Sequence, residues 1–189
     1  MVREESEVSH KEVRMVIEEV DGLYSIIALN VLRRTPKVCF DALDMSQISP
    51  VASIDRVIHG PGALSPGSVG AVEHPWYMHP HQEDNLMVLH GTRLVELYTQ
   101  EHGMIEKFTV TPNTISMENG RRHTGAVMLA WPRNVFHRIV SCPKEGSASI
   151  NLAAHFEGFD IRTNFNVYDL DPATGKFWVV REGYLDQPR

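Results

Sequence analysis

An all-β fold is expected for most of this 189-residue chain, and three features of the sequence carry that expectation. From Pro36 onward, short apolar runs are separated by Gly, Pro, Asn and Asp, the pattern of strands and turns in a barrel or sandwich. Several of these runs alternate apolar and polar residues with the two-residue period of a half-buried strand. With 13 Gly, 11 Pro, 42% hydrophobic and 22% charged residues, the composition is that of a turn-rich globular chain, which sets disorder aside. The length suits one domain with a terminal extension better than two domains.

The extension comes first. Ser9-His-Lys-Glu12 has capping-box spacing, and Val13, Val16, Ile17 and Val20 follow at helical period, which predicts a helix over residues 9–20 closed by Asp21-Gly22. Residues 23–32 are apolar without a clear period and fit a second helix or a strand equally well. Arg33-Arg34-Thr35-Pro36 closes this part, so residues 1–35 form an expected N-terminal helical extension and 36–189 the β domain. Within the latter, strands are expected over residues 51–58, 86–90, 93–98, 105–110, 126–131, 136–141 and 148–153. Residues 164–170 and 176–181 flank Asp171-Pro-Ala-Thr-Gly175, a loop of turn formers that predicts a hairpin.

A formal charge of -6 leaves no electrostatic footprint for gripping a phosphate backbone, so no nucleic-acid partner is expected. The acidic start, Met1-Val-Arg-Glu-Glu-Ser-Glu, lacks the apolar core of a secretory signal, and no window is apolar enough to span a bilayer. No membrane association and a cytoplasmic location are therefore expected. In that compartment Cys39 and Cys142 are expected to stay reduced.

Five of the ten histidines lie between His59 and His90, and His79 and His81 are separated by one residue. On a strand, residues two apart share a face, so both imidazoles would reach one ion. Glu83 and Asp84 follow and offer an oxygen donor to a mixed nitrogen and oxygen shell. Farther on, Pro132-Arg-Asn-Val-Phe-His137 leads a turn into a strand that places His137 between Val135 and Ile139 on one face. A histidine among inward apolar residues needs a partner, and a metal is one.

These two stretches resemble the two motifs of the cupin superfamily. The first motif there reads His-x-His, three or four residues, Glu, six residues, Gly. His79-Pro-His81-Gln-Glu-Asp84-Asn-Leu-Met-Val-Leu-His-Gly91 is similar to it, with a turn shortened by about one residue. Counting back from Gly91 selects Asp84 as the carboxylate, and counting forward from the histidines selects Glu83, with Asn85 as a third choice. The second motif, Pro-x-Gly-x-x-His, is matched by Pro132 to His137 with Asn134 in the glycine position, and Asn is the non-glycine residue best suited to a left-handed turn. The match departs from the family in a displaced Gly before the first motif, one extra residue between Gly125 and Pro132, and Ser141 where Asn is common.

The resemblance implies a double-stranded antiparallel β-barrel, or jelly roll, holding one divalent ion, Fe, Mn, Ni or Zn, on His79, His81, an acidic residue (Asp84 or Glu83) and His137. It further implies a small-molecule substrate or ligand, either a dioxygenase or an isomerase or epimerase activity, and alternatively a binding or sensing role without turnover. A homodimer formed by strand exchange or edge contact is the expected assembly.

Other polar residues have plainer readings. His123 suits a solvated loop or an anion contact, His90 an exposed strand end, and His59 and His74 are loop residues able to give a fourth nitrogen. Trp76, Tyr77, Tyr98, Trp131 and Phe136 suit core filling or an aromatic wall. Arg93, Glu96 and Arg138 are candidates for substrate contact, with a solvated outer face the expected place for Arg93.

Overall fold

The computed structural model describes residues 15–188. In chain order its strands are β1 (Val16–Val20), β2 (Tyr24–Ala28), β3 (Asn30–Thr35), β4 (Val38–Ala42), β5 (Ser53–His59) and β6 (Leu64–Ser65). Next come β7 (Trp76–Met78), β8 (Gln82–Gly91), β9 (Arg93–Tyr98), β10 (Glu106–Thr111), β11 (Thr114–Met117) and β12 (Arg122–Thr124). The last are β13 (Val127–Trp131), β14 (Phe136–Ser141), β15 (Ser147–His155), β16 (Val167–Asp171) and β17 (Lys176–Arg181), with one short helix, α1 (Ile161–Asn164), before β16.

Every ladder is antiparallel. One sheet has the order β1-β2-β13-β8-β15-β5, and the other β12-β11-β10-β9-β14-β7-β16-β17, with β6 beside β14. β3 and β4 pair only with each other. Among the described residues the chain crosses between the two large sheets from β5 to β6, β7 to β8, β8 to β9, β12 to β13, β13 to β14, β14 to β15 and β15 to β16. Among the described residues no ladder joins the two large sheets, so the expected barrel is not found as a closed one. The all-β expectation itself holds.

The core lies between the two sheets. Leu86 and Val88 of β8 and Leu129 and Trp131 of β13 meet Val95 and Leu97 of β9, Phe108 and Val110 of β10, and Ile115 of β11. Each set comes from alternate positions, as one buried face of a pleated strand requires. β13 is buried throughout because its other face, Met128 and Ala130, is covered by Met15, Ile27, Ile48 and Leu152. Burial on both faces explains why it reads as an uninterrupted apolar run.

The N-terminal helix needs correction. Residues 9–14 of that expected helix lie outside the described residues, but Val16–Val20 is β1, paired with β2 across a tight turn in which Leu23 N donates to the Val20 carbonyl. Gly22, at φ 70°, makes a hairpin turn rather than a helix stop. Val16, Ile17 and Val20 are β-branched and stiff, and the partner strand β2 buries Ile26 and Ile27 completely, so sheet pairing outweighs the helical spacing. The ambiguous residues 23–32 likewise become β2 and the start of β3. The C-terminal hairpin forms around Asp171–Gly175 as expected, with Asp171 opposite Lys176. Among the described residues no helix is long and apolar enough to cross a membrane, and both cysteines are free thiols.

Candidate metal centre

Three elements bring the site together. His79 immediately follows β7, Asp84 points inward from β8, and His137 points inward from β14. The turn before β14 is held by Asn134 at φ 65°, whose N–H donates to the His79 carbonyl at 2.9 Å, so the second motif is fastened directly to the first. One donor atom from each of His79, Asp84 and His137 lies within 4.8 Å of the other two. All three residues are buried, at 4%, 4% and 5% exposure.

Hydrogen bonds around the cluster determine which atoms are left to bind. His79 Nδ1 lies 2.6 Å from the Asn164 carbonyl and His137 Nδ1 lies 3.2 Å from the Val135 carbonyl. A carbonyl only accepts, so each ring carries its proton on Nδ1 and presents a bare Nε2 lone pair. Asp84 Oδ1 accepts from Gln82 Nε2 at 2.7 Å and from Asn151 Nδ2 at 2.6 Å. Its other oxygen, Oδ2, is buried with no hydrogen-bond partner and sits 3.6 Å from His79 Nε2. An orphaned buried carboxylate oxygen costs more than the ~1–3 kcal/mol of a neutral group. Two imidazole lone pairs and one carboxylate oxygen facing one another are a donor set that fits a divalent first-row ion.

The other sequence candidates fall elsewhere. His81 does not join the cluster: residues 80 and 81 form a bend and β8 starts at Gln82, so the strand rule that would align His79 with His81 does not apply. Its ring packs on Gly158, where an added Cβ would sit 2.9 Å from His81 Cε1. Tyr77 instead lies two residues before His79 on the cavity side, with ring centroids 5.9 Å apart. Glu83 points to the opposite face of β8 and accepts from Ser49 Oγ at 3.0 Å, and Asn85 donates to the Leu152 carbonyl at 2.8 Å. His123 pairs with Glu18, and His90 is exposed.

A cavity of about 460 Å³ opens over the cluster, walled by Tyr77, Leu86, Trp131, Ile139 and Phe165. That volume suits a small molecule. Trp131 and Tyr77 thus form part of an aromatic wall, whereas Trp76, Tyr98 and Phe136 fill a second core. Sequence reasoning missed Gln82, Asn151 and Asn164, the residues that orient the donors. The alternation Gln82, Asp84, Leu86, Val88 is a signal that could have found the first, and none marks Asn164, which reaches His79 from 85 positions away.

Burial, and secondarily the neighbouring His79, pushes the His137 imidazole down to about 4, and burial with Arg93 nearby does the same to His59. Both groups have an ordinary value of 6.5, so stability from their neutral forms is complete above pH 6.5. Between 6.5 and about 4 the unfolded chain takes up protons that the fold refuses, and stability falls with pH. Thermal melts of metal-free protein are expected to show this fall, and His59→Gln is expected to make it shallower than in the parent. Parallel pH profiles for the two would contradict the assignment.

No protein-family model matches this chain, and a search of curated proteins finds no match. Fold and site together define an all-β protein of two packed sheets with a buried two-histidine, one-carboxylate cluster able to hold a metal ion.

Proposed function

We propose that this protein is a metal-dependent cupin enzyme acting on a small molecule, with one divalent ion, Fe, Mn, Ni or Zn, held by His79, Asp84 and His137. The observation that carries this reading is the partnerless Asp84 Oδ2 facing two imidazoles whose Nδ1 protons are committed to backbone carbonyls. The geometry also supports a better register for the first cupin motif. Starting at Tyr77 rather than His79, it reads Tyr77-x-His79, four residues, Asp84, six residues, Gly91, with no shortened turn and Tyr in the first histidine position. The repeated crossings of the chain between the two large sheets support a jelly-roll topology.

When bound, such an ion supplies Lewis acidity or oxygen activation at coordination positions that three protein donors leave open, which covers both a dioxygenase and an isomerase or epimerase. The protein's own contribution is positional. Asn151 and Gln82 hold one carboxylate oxygen so that the other faces inward, and Trp131, Tyr77 and Phe165 wall the cavity beside the centre. Burial raises the Tyr77 phenol, which therefore keeps its proton at neutral pH and can donate it to a ligand in the cavity.

Water-proton relaxation of the Mn(II)-loaded protein tests whether positions are open. Marked enhancement over free Mn(II) is expected, because exchangeable water occupies them. Tight Mn(II) binding without enhancement would favour the second reading, a non-catalytic ligand-binding or sensing cupin, which the largely apolar cavity walls also suit.

The assembly proposed is a homodimer in the cytosol, where the free thiols Cys39 and Cys142 suit a reducing compartment. The β3–β4 hairpin pairs with neither large sheet and exposes Val31, Leu32, Val38 and Phe40, and the edge strand β5 exposes Ile54 and Ile58. A second copy offers complementary apolar cover to both. Phe40→Asp with Leu32→Asp is expected to give a monomer by light scattering where the parent is a dimer. A monomeric parent would refute the assembly.

A further inference from the structure

Arg93 opens β9, and the alternation of that strand turns it inward with Val95 and Leu97 rather than outward as the sequence suggested. It is 1% exposed and lines the same cavity as the metal cluster. Its Nε donates to Ser147 Oγ at 2.9 Å and one Nη to the Val57 carbonyl at 3.3 Å, both neutral acceptors. Among the described residues no carboxylate lies within ion-pair distance of it. Removing a cation from water without a counter-charge costs several kcal/mol or more, and a guanidinium has five donors to satisfy.

A second observation points the same way. Ser149, on the same cavity wall, has a buried hydroxyl with no partner at all. The surroundings are built to hold the guanidinium still: His59 Nδ1 is 2.9 Å from Ser141 Oγ, which is 2.8 Å from Ser147 Oγ, which in turn accepts from Arg93. Asp55, the nearest carboxylate of that wall in the ladder, is already committed, accepting from Ser53 Oγ at 2.8 Å and from Asn151 Nδ2 at 3.2 Å.

Position and charge set the ligand class. Val57, which Arg93 touches, is opposite Ser149, while Asn151, two residues along β15, donates to Asp84. Two residues of strand are roughly 7 Å, so one short molecule reaches both ends. A divalent ion and Arg93, set against Asp55 and Asp84, leave one positive charge in the cavity. A monocarboxylate neutralises it, and a dianionic phosphate overshoots it.

We propose that the substrate is a short carboxylic acid carrying a second oxygen, nitrogen or sulfur donor, its carboxylate bound by Arg93 and Ser149 and its second donor directed at His79, Asp84 and His137. This rests on the metal reading for the second donor only. The carboxylate end stands on Arg93 and Ser149 alone.

The test is calorimetric titration of the full chain, Mn(II)-loaded and separately chelator-treated, with lactate and β-hydroxybutyrate beside their neutral amides. At least one acid is expected to bind the loaded protein about tenfold or more tightly than its amide, and Arg93→Gln is expected to abolish that preference. Ser149→Ala, which removes only a hydroxyl, is expected to weaken the acid several-fold while leaving the amide unchanged. Amides that bind as well as the acids, no binding of any acid, or a folded Arg93→Gln protein with the preference intact would each overturn the proposal. Should Arg93→Gln fail to fold, unchanged acid binding in both Arg93→Lys and Ser149→Ala overturns it instead. Acid preference without Mn(II) binding would sink the metal reading and spare the carboxylate site. Mn(II) binding without acid preference would do the reverse.

Discussion

Asp84→Asn is expected to fold and to lose divalent-ion binding by about a hundredfold or more, and His81→Ala is expected to bind like the parent. The contrast follows from the atoms involved. In Asp84→Asn the amide oxygen can still accept from Gln82 and Asn151, as Oδ1 does now, so the local fold is kept. The amide nitrogen then takes the place of Oδ2 and points a donor N–H at His79 Nε2, which is 3.6 Å from Oδ2. That exchanges a charged lone pair for a proton and removes the orphaned oxygen that now awaits a partner. Asp84→Asn is therefore expected to be at least as stable as the parent without metal, and to gain nothing from added metal. His81 hydrogen-bonds through its backbone, accepting from Phe156 N and donating to Asn164 Oδ1, and its ring packs on Gly158 outside the donor cluster, so removal of the ring leaves that cluster untouched. Competition against a chelating dye gives the affinities. Equal losses in His81→Ala and Asp84→Asn would mean that the cluster is not the site.

Gly91→Ala is expected to be strongly destabilising, at about 3 kcal/mol or more in urea unfolding. Gly91 sits at φ 70°, where an alanine costs about 1–2 kcal/mol by itself. The added Cβ would also overlap the Gly146 carbonyl oxygen and lie 3.0 Å from Ser147 Cα. Both are backbone atoms at the start of β15, where Ser147 is opposite Gly91 and Gly146 immediately precedes the strand, and neither can rotate away. Gly103 is the control. It has nearly the same φ, 72°, but open space around its Cβ position, so Gly103→Ala is expected to cost only the conformational ~1–2 kcal/mol. Similar losses at the two positions would show that close approach of β15 is not what requires glycine at 91. Gly91 also closes the first motif, so a stability requirement, rather than metal chemistry, explains its place there.

Strands whose residues alternate cleanly or lie between strong turn formers were legible in the sequence: β9, β14 and β17 have the expected bounds, and β5, β10, β13 and β15 are displaced by only one or two residues. Strands of only two or three residues, such as β6, β7 and β12, are too short to show a period, because their stability comes from neighbours distant in sequence. β1 misled for a related reason: Val16, Ile17 and Val20 fit a helical period, but the winning interaction is with β2 and, beyond it, β13.

At the site, His79 and His137 were legible because motif spacing puts each beside a strand end or on an inward face. The choice between Asp84 and Glu83 was not, since it depends on where β8 begins, and the strand begins only at Gln82, past His81. Arg93 was misread because a charged residue at a strand start is ordinarily solvated. The fold places it opposite Ser141, inside the cavity wall. Asn164 was invisible, reaching His79 from the far end of the chain through a backbone carbonyl.

The most direct test of the central claim is elemental analysis of the purified full chain, free of any affinity tag, beside Asp84→Asn. One equivalent of iron, manganese, nickel or zinc in the parent, and almost none in the variant, is the predicted result. Equal metal in the two, or none in the parent even after incubation with excess ions, would contradict the claim that His79, Asp84 and His137 form a metal centre.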